Sequence, residues 1–146
     1  MTIKELHQEI VKNVENWQKI ENQSVASTAQ IMEKTDNPII RLAMEIIQRD
    51  SQTHAQVQRW IADTFKFRTV SLSPDELARI GKELEYHIAL EKKMIASAER
   101  MLSDVKGKRN ILAQQYFLTY LLDDERKHDR LLESLQILAG GMRDSD

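Results

Sequence analysis

The sequence predicts an all-α fold, a four-helix bundle built from two helical hairpins. Three observations carry this. Gly and Pro are scarce, 4 and 2 of 146 residues, so the elements run long. Apolar residues recur three or four positions apart along four stretches of ~25–30 residues. Turn and capping chemistry separates those stretches. The composition, 41% hydrophobic and 30% charged, is that of a globular chain, and its length suits a single domain over 1–146.

The first helix is expected over 3–34. Thr2-Ile-Lys-Glu5 reads as a capping box, in which hydroxyl and carboxylate each satisfy a backbone N–H of the first turn. Its seam is Ile3, Leu6, Ile10, Val14, Trp17, Glu21, Val25, Thr28 and Ile31. Thr35-Asp-Asn-Pro38 breaks it, with Asn37 as the next N-cap and Pro38 as the first helical residue. The second helix follows over 38–65, its seam Ala43, Ile47, Asp50, His54, Val57 and Ile61. Residues 66–72 have no helical period and read as an extended connection. At ~3.3 Å per residue it can run along most of a bundle or close a simple up-down-up-down one.

Ser73-Pro-Asp-Glu76 is a second capping box, which starts the third helix, 74–105. Leu77, Ile80, Leu84, His87, Ile88, Glu91, Ile95, Ala98, Met101, Leu102 and Val105 form its seam, and Gly107 suits its stop. The fourth helix, 109–138, carries Leu118, Leu121, Glu125, His128, Leu132 and Leu135. Gly140-Gly141 is expected to end it, leaving Met142 to Asp146 as a frayed tail.

Charge and composition exclude several functions. The formal net charge is −2, so no basic face points to nucleic acid or to an anionic membrane. With no Cys there are no disulfides, thiolate metal sites or Cys-ligated clusters. The N-terminus is amphipathic rather than continuously apolar, and no apolar run approaches the ~18 residues of a membrane span. A cytoplasmic protein is the expectation.

The two hairpins resemble each other. Glu21 through Thr28 aligns with Glu91 through Ala98, and Asp50-Ser-Gln-Thr-His54 with Asp124-Glu-Arg-Lys-His128. Each half thus has a seam Glu on its first helix and an Asp-x-x-x-His on its second. Glu21, Asp50, His54, Glu91, Glu125 and His128 all occupy positions where the seam calls for a hydrophobe. A buried carboxylate costs several kcal/mol unless it is paired or bound to a cation. Six such residues at mirrored positions suggest one polar centre. Oxygen donors with imidazole, and no thiolate, suit iron first, with manganese and zinc as alternatives. Glu125-Arg-Lys-His128 is a Glu-x-x-His, whose two side chains project from one helix face.

On these residues the chain resembles the ferritin-like di-iron carboxylate superfamily, in the style of rubrerythrin-like and bacterial ferritin-like domains. Those bundles supply a Glu from each of two helices and a Glu-x-x-His from each of the other two. The resemblance implies Glu21, His54, Glu91, Glu125 and His128 as metal ligands. It implies Asp124 as the partner that orients His128, with Asp50 as its counterpart in the first half. Asp50 turned inward and His87, one turn before Glu91, are further candidate ligands. The resemblance also implies ferroxidase- or peroxidase-type redox chemistry at a pair of irons. Without Cys for a second iron site, the electron donor would be a separate redox protein. One position departs from the pattern: Ser51 stands where Glu125 has its counterpart. The three seam Glu then carry −3 against the +4 of two divalent ions, which leaves a single ion at Glu91, Glu125 and His128 as an alternative.

The competing expectation is a non-catalytic bundle with a degenerate site, acting in protein interaction or as a homo-oligomer. The remaining polar and aromatic residues have ordinary readings. Tyr86, Tyr116 and Tyr120 read as packing, and Met32, Met44, Met94 and Met101 as core filler. His7 reads as solvated. Lys106, Lys108 and Arg109 form a solvated basic turn, and Trp60 lies partly outward.

Overall fold

The computed structural model describes residues 1–67 and 69–143. The described residues are all helix and connection, with no strand. They form two compact units, Met1–Val70 and Ser71–Asp146, each organised as a helical hairpin. Among the described residues no helix is long and apolar enough to cross a membrane.

The first unit pairs α1 (Ile3–Glu33) with α2 (Pro38–Lys66). The capping box at Thr2 forms as expected. The Thr2 N–H donates to Glu5 Oε2 at 2.7 Å, and the Glu5 N–H donates to Thr2 Oγ1 at 3.1 Å. These bonds, the one from the Thr2 backbone foremost, hold the Glu5 carboxyl below its ordinary pKa. At the other end of α1, Arg41 Nη1 donates to the carbonyls of Met32 and Thr35, at 2.5 and 3.2 Å. It thereby satisfies acceptors that the helix end leaves free. Asn37 caps α2 through Oδ1, which accepts from the Ile39 N–H at 2.9 Å.

The interface inside this hairpin lies one residue out of phase with the expected seam of α2. Ser51 and Ala62 are buried against α1, with Ala55 and Gln58 half-buried. Ile47 and Val57 are exposed. On α1, Val14 and Thr28 are buried, whereas Ile3, Leu6, Trp17, Ile20 and Ile31 are exposed. The apolar arc of each helix is wider than one partner helix covers, so seam positions at its edge stay outside. Polar bonds hold the strip that is covered. Gln18 Nε2 donates to the Ala55 carbonyl and Gln48 Nε2 to the Val25 carbonyl, both at 3.3 Å. His7 is exposed, as expected, and its ring also packs on Phe65 with centroids 4.6 Å apart.

The second unit contains α3 (Pro74–Arg79), α4 (Gly81–Val105), a 3-10 turn (Arg109–Ile111) and α5 (Leu112–Arg143). The expected 74–105 helix is therefore two pieces. Ile80 leaves the helical range at φ −112°, ψ 18°, and it precedes Gly81, a weak helix former. Gly107 ends the turn after α4 with φ +78°, a conformation that favours glycine. Gln115 Nε2 donates to the carbonyls of Val105 and Lys108, at 2.6 and 3.1 Å, and so caps the end of α4.

Gly140 and Gly141 do not end α5, which runs to Arg143. Glycine costs a helix only ~1 kcal/mol per residue, and here α5 has a seat. Ala139 is buried at a groove of about 600 Å³ whose lining includes Leu77, Ala78, Gly81, Leu132 and Gly140. Of the expected frayed tail, Met142 is helical and 144–146 lie outside the described residues. The seam of this hairpin falls largely where the sequence places it, except that Ile80, His87, Met101 and Leu121 are exposed and Leu122 takes the place of Leu121. Leu77 and Glu91 are buried, and Leu84, Ile88, Ile95, Ala98, Leu102 and Val105 are half-buried. Facing them are Leu118, Glu125, His128, Leu132 and Leu135, with Leu122 buried. Met94 and Met101, expected as core filler, are half-exposed at 51% and 49%, since they lie one position off the packed line.

Candidate metal centre

Glu91 sits at the middle of α4, buried to 7% exposure on the line that faces α5. Glu125 and His128 stand three residues apart on α5, so one helical face presents both. Each of the three offers one donor atom, and those atoms all lie within 4.8 Å of one another. His128 Nδ1 is 3.4 Å from Glu91 Oε1 and 3.8 Å from Glu125 Oε2. Donors ~2.0–2.2 Å from a shared ion stand at most ~4.4 Å apart. Both measured separations fall inside that span, so the group is able to chelate one cation.

The surrounding contacts orient two of these donors. His128 turns Nδ1 toward the two glutamates and Nε2 toward Asp124 Oδ2, 3.4 Å away. Asp124 is itself held by Lys127 Nζ at 2.7 Å from Oδ1. A carboxylate behind an imidazole fixes its ring and tautomer for the ion in front. Glu91 Oε1 accepts from His87 Nε2–H at 2.9 Å, one turn back on α4. Glu91 Oε2 is buried and has no hydrogen-bond partner among the described residues. A buried acceptor left unsatisfied costs ~1–3 kcal/mol, and a cation would remove that cost.

The first unit brings together a smaller group. Glu21 Oε1 lies 3.4 Å from His54 Nδ1 and accepts from Gln58 Nε2 at 3.4 Å. His54 is largely exposed, and no ion pair joins it to Asp50 among the described residues. Ser51, in the position that matches Glu125, is buried at 5% exposure and hydrogen-bonded to Ser24, Oγ to Oγ at 2.8 Å. A neutral hydroxyl pair thus occupies the place where the second half has a carboxylate. Gln58 was not foreseen. Its signal in the sequence is a polar residue one turn beyond His54, on the 51–55–58–62 line that the expected seam missed.

Among the described residues, then, only the second unit assembles three donors. That set is two carboxylates and one imidazole, able to chelate one metal ion. Comparison with protein-family models, curated proteins and solved structures finds no match to this chain.

Proposed function

We propose that the chain is a metal-binding helical protein that holds one divalent cation on Glu91, Glu125 and His128. The observation that carries this reading is Glu91. Its carboxylate is buried in a helix interface, one of its oxygens has no donor among the described residues, and two further ligand-type side chains converge on it. Charge supports a single ion, because Glu91 and Glu125 together contribute −2 and balance one divalent cation. Iron is the first choice for such donors, with manganese and zinc next. The open positions around a three-ligand ion would be filled by water or substrate.

A second reading is a two-ion redox centre of ferroxidase or peroxidase type, as the ferritin-like and rubrerythrin-like resemblance implies. The observation favouring it is the Glu21–His54 pair, 3.4 Å apart at the repeat positions of Glu91 and His128. That reading also carries the separate redox protein as electron donor.

Titration of metal-free protein with Fe(II) under anaerobic conditions, followed by admission of O₂, tests both. One equivalent bound, lost in Glu125→Ala/His128→Ala, supports the proposed site. Two equivalents with rapid O₂ consumption would move the conclusion to the two-ion centre. No binding of Fe(II), Mn(II) or Zn(II) would refute the metal reading and leave the cluster a hydrogen-bonded network in an interaction or oligomerisation module.

A further inference from the structure

We propose that His87 is the positioning residue of the metal centre. It anchors Glu91 through Oε1 and so fixes the carboxylate that faces Glu125 and His128. The inference rests on the one-ion reading above and extends it to a residue outside the Glu91, Glu125 and His128 set.

The geometry separates His87 from the ligands. Its Nε2–H meets Glu91 Oε1 at 2.9 Å, a full hydrogen bond, whereas His128 Nδ1 is 3.4 Å from the same oxygen. His87 does not join the group of donors that lie within 4.8 Å of one another. It approaches Glu91 from α4 itself, four residues back, while Glu125 and His128 approach from α5. The side chain of His87 is 55% exposed and that of Glu91 is 8% exposed. A half-exposed donor therefore grips one oxygen of a buried carboxylate whose other oxygen has no partner.

Such a grip has a definite effect. A free Glu side chain samples several rotamers, and ordering it on metal binding costs free energy. A charge-assisted hydrogen bond made beforehand fixes the carboxylate plane in the metal-free protein. Outer partners of this kind change metal affinity by ~10–100-fold. On α5 Asp124 stands 3.4 Å from His128 Nε2 as an ion pair, so each helix carries a partner behind one donor.

The test uses Co(II) and Zn(II) titrations of the full chain and of His87→Leu and His87→Gln. Leu removes the donor, and Gln can supply an amide N–H from the same turn. The expected result is one equivalent bound by all three proteins, with affinity lowered ~10–100-fold in His87→Leu and largely restored in His87→Gln. The Co(II) protein should show one coordinated imidazole by pulsed electron paramagnetic resonance, from His128, in the native chain and in His87→Leu alike. Unchanged affinity in His87→Leu would overturn the positioning role and leave the metal site standing. Two coordinated imidazoles in the native chain, falling to one in His87→Leu, would overturn it by making His87 a ligand. Absence of metal binding in the native chain would refute the site itself, a different failure. Circular dichroism of the variants checks that helix content is retained, as the exposure of His87 predicts.

Discussion

Replacing Glu91 by Met should strengthen the metal-free protein and weaken the metal-loaded one. Glu91 is 7% exposed and its Oε2 is buried without a hydrogen-bond partner. Removing an unsatisfied buried acceptor recovers ~1–3 kcal/mol. Met is unbranched and of similar volume, so it fills the site with little repacking. Against this stand the lost contacts with His87 and His128. Their side chains are 55% and 41% exposed, and ion pairs that open to solvent are worth only ~0–1 kcal/mol. The net is a gain of ~1–2 kcal/mol for Glu91→Met in the presence of a chelator. With metal at 100 times its dissociation constant, the native chain alone gains ~2.7 kcal/mol. The order of stabilities therefore reverses. Urea unfolding followed by circular dichroism, in chelator and in excess Zn(II), reads both halves. A Glu91→Met protein less stable than the native chain in chelator would refute the reasoning, since Glu91 would then be a satisfied part of a structural network. A native chain that gains nothing from metal would refute it from the other side.

Two further outcomes follow from local geometry. Gly107 has φ +78° and open space where a Cβ would stand, so Gly107→Ala should cost backbone strain alone, ~1 kcal/mol, seen as a lower urea midpoint. The Glu5 carboxyl is held below its ordinary pKa by the Thr2 N–H and, to a lesser extent, the Thr2 hydroxyl. A depressed folded-state pKa contributes stability above the unfolded value and loses it as pH falls through the folded value. The first turn of α1 should thus loosen on acidification below the usual carboxylate range. Amide exchange at residues 3–6 should show this loosening, and Glu5→Gln should flatten its pH dependence.

The packed line of α4 was readable from sequence and that of α2 was not, for a physical reason. In α4 the packed line is apolar apart from Glu91, although Leu90, Met94 and Met101 beside it are exposed. Period counting then finds Leu77, Leu84, Ile88, Glu91, Ile95, Ala98, Leu102 and Val105 in the right phase. In α2 the covered strip includes Gln48, Ser51, Ala55 and Gln58, which carry little hydrophobic signal, while Ile47 and Val57 beside them are larger and exposed. Counting apolar residues selects the wrong neighbour by one position. Helix ends show the same division. Thr2, Asn37, Ser73 and Gly107 act within one turn, and each does locally what its chemistry prescribes. Gly140-Gly141 failed as a stop because burial of Ala139, a tertiary contact, decides there. Of the candidate site, Glu91, Glu125 and His128 were legible from seam positions and spacing, and Asp124 from the family resemblance alone. The contacts of Gln58 with Glu21 and of His87 with Glu91 depend on rotamers, which spacing does not fix.

The two halves of the repeat now show how one pattern of seam polarity reaches two ends. In the first hairpin most of the hydrogen-bonding capacity is spent inside the interface. Ser24 and Ser51 satisfy each other, and Gln18 and Gln48 reach backbone carbonyls of the opposite helix. These groups are neutral, so their burial asks for partners but for no countercharge. In the second hairpin Glu125 stands where the first has Ser51 and joins Glu91, the counterpart of Glu21, and the burial of two carboxylates asks for partners and for countercharge. The available cations do not meet that demand. Lys127 is directed to Asp124 and Arg126 to Glu99, and the nearby imidazoles leave Glu91 Oε2 without a donor. The first hairpin holds one interface carboxylate, Glu21, with His54 and Gln58 beside it. The second hairpin sets two carboxylates and His128 within reach of one another beside a buried oxygen that has no donor among the described residues, the stronger demand for a cation of the two.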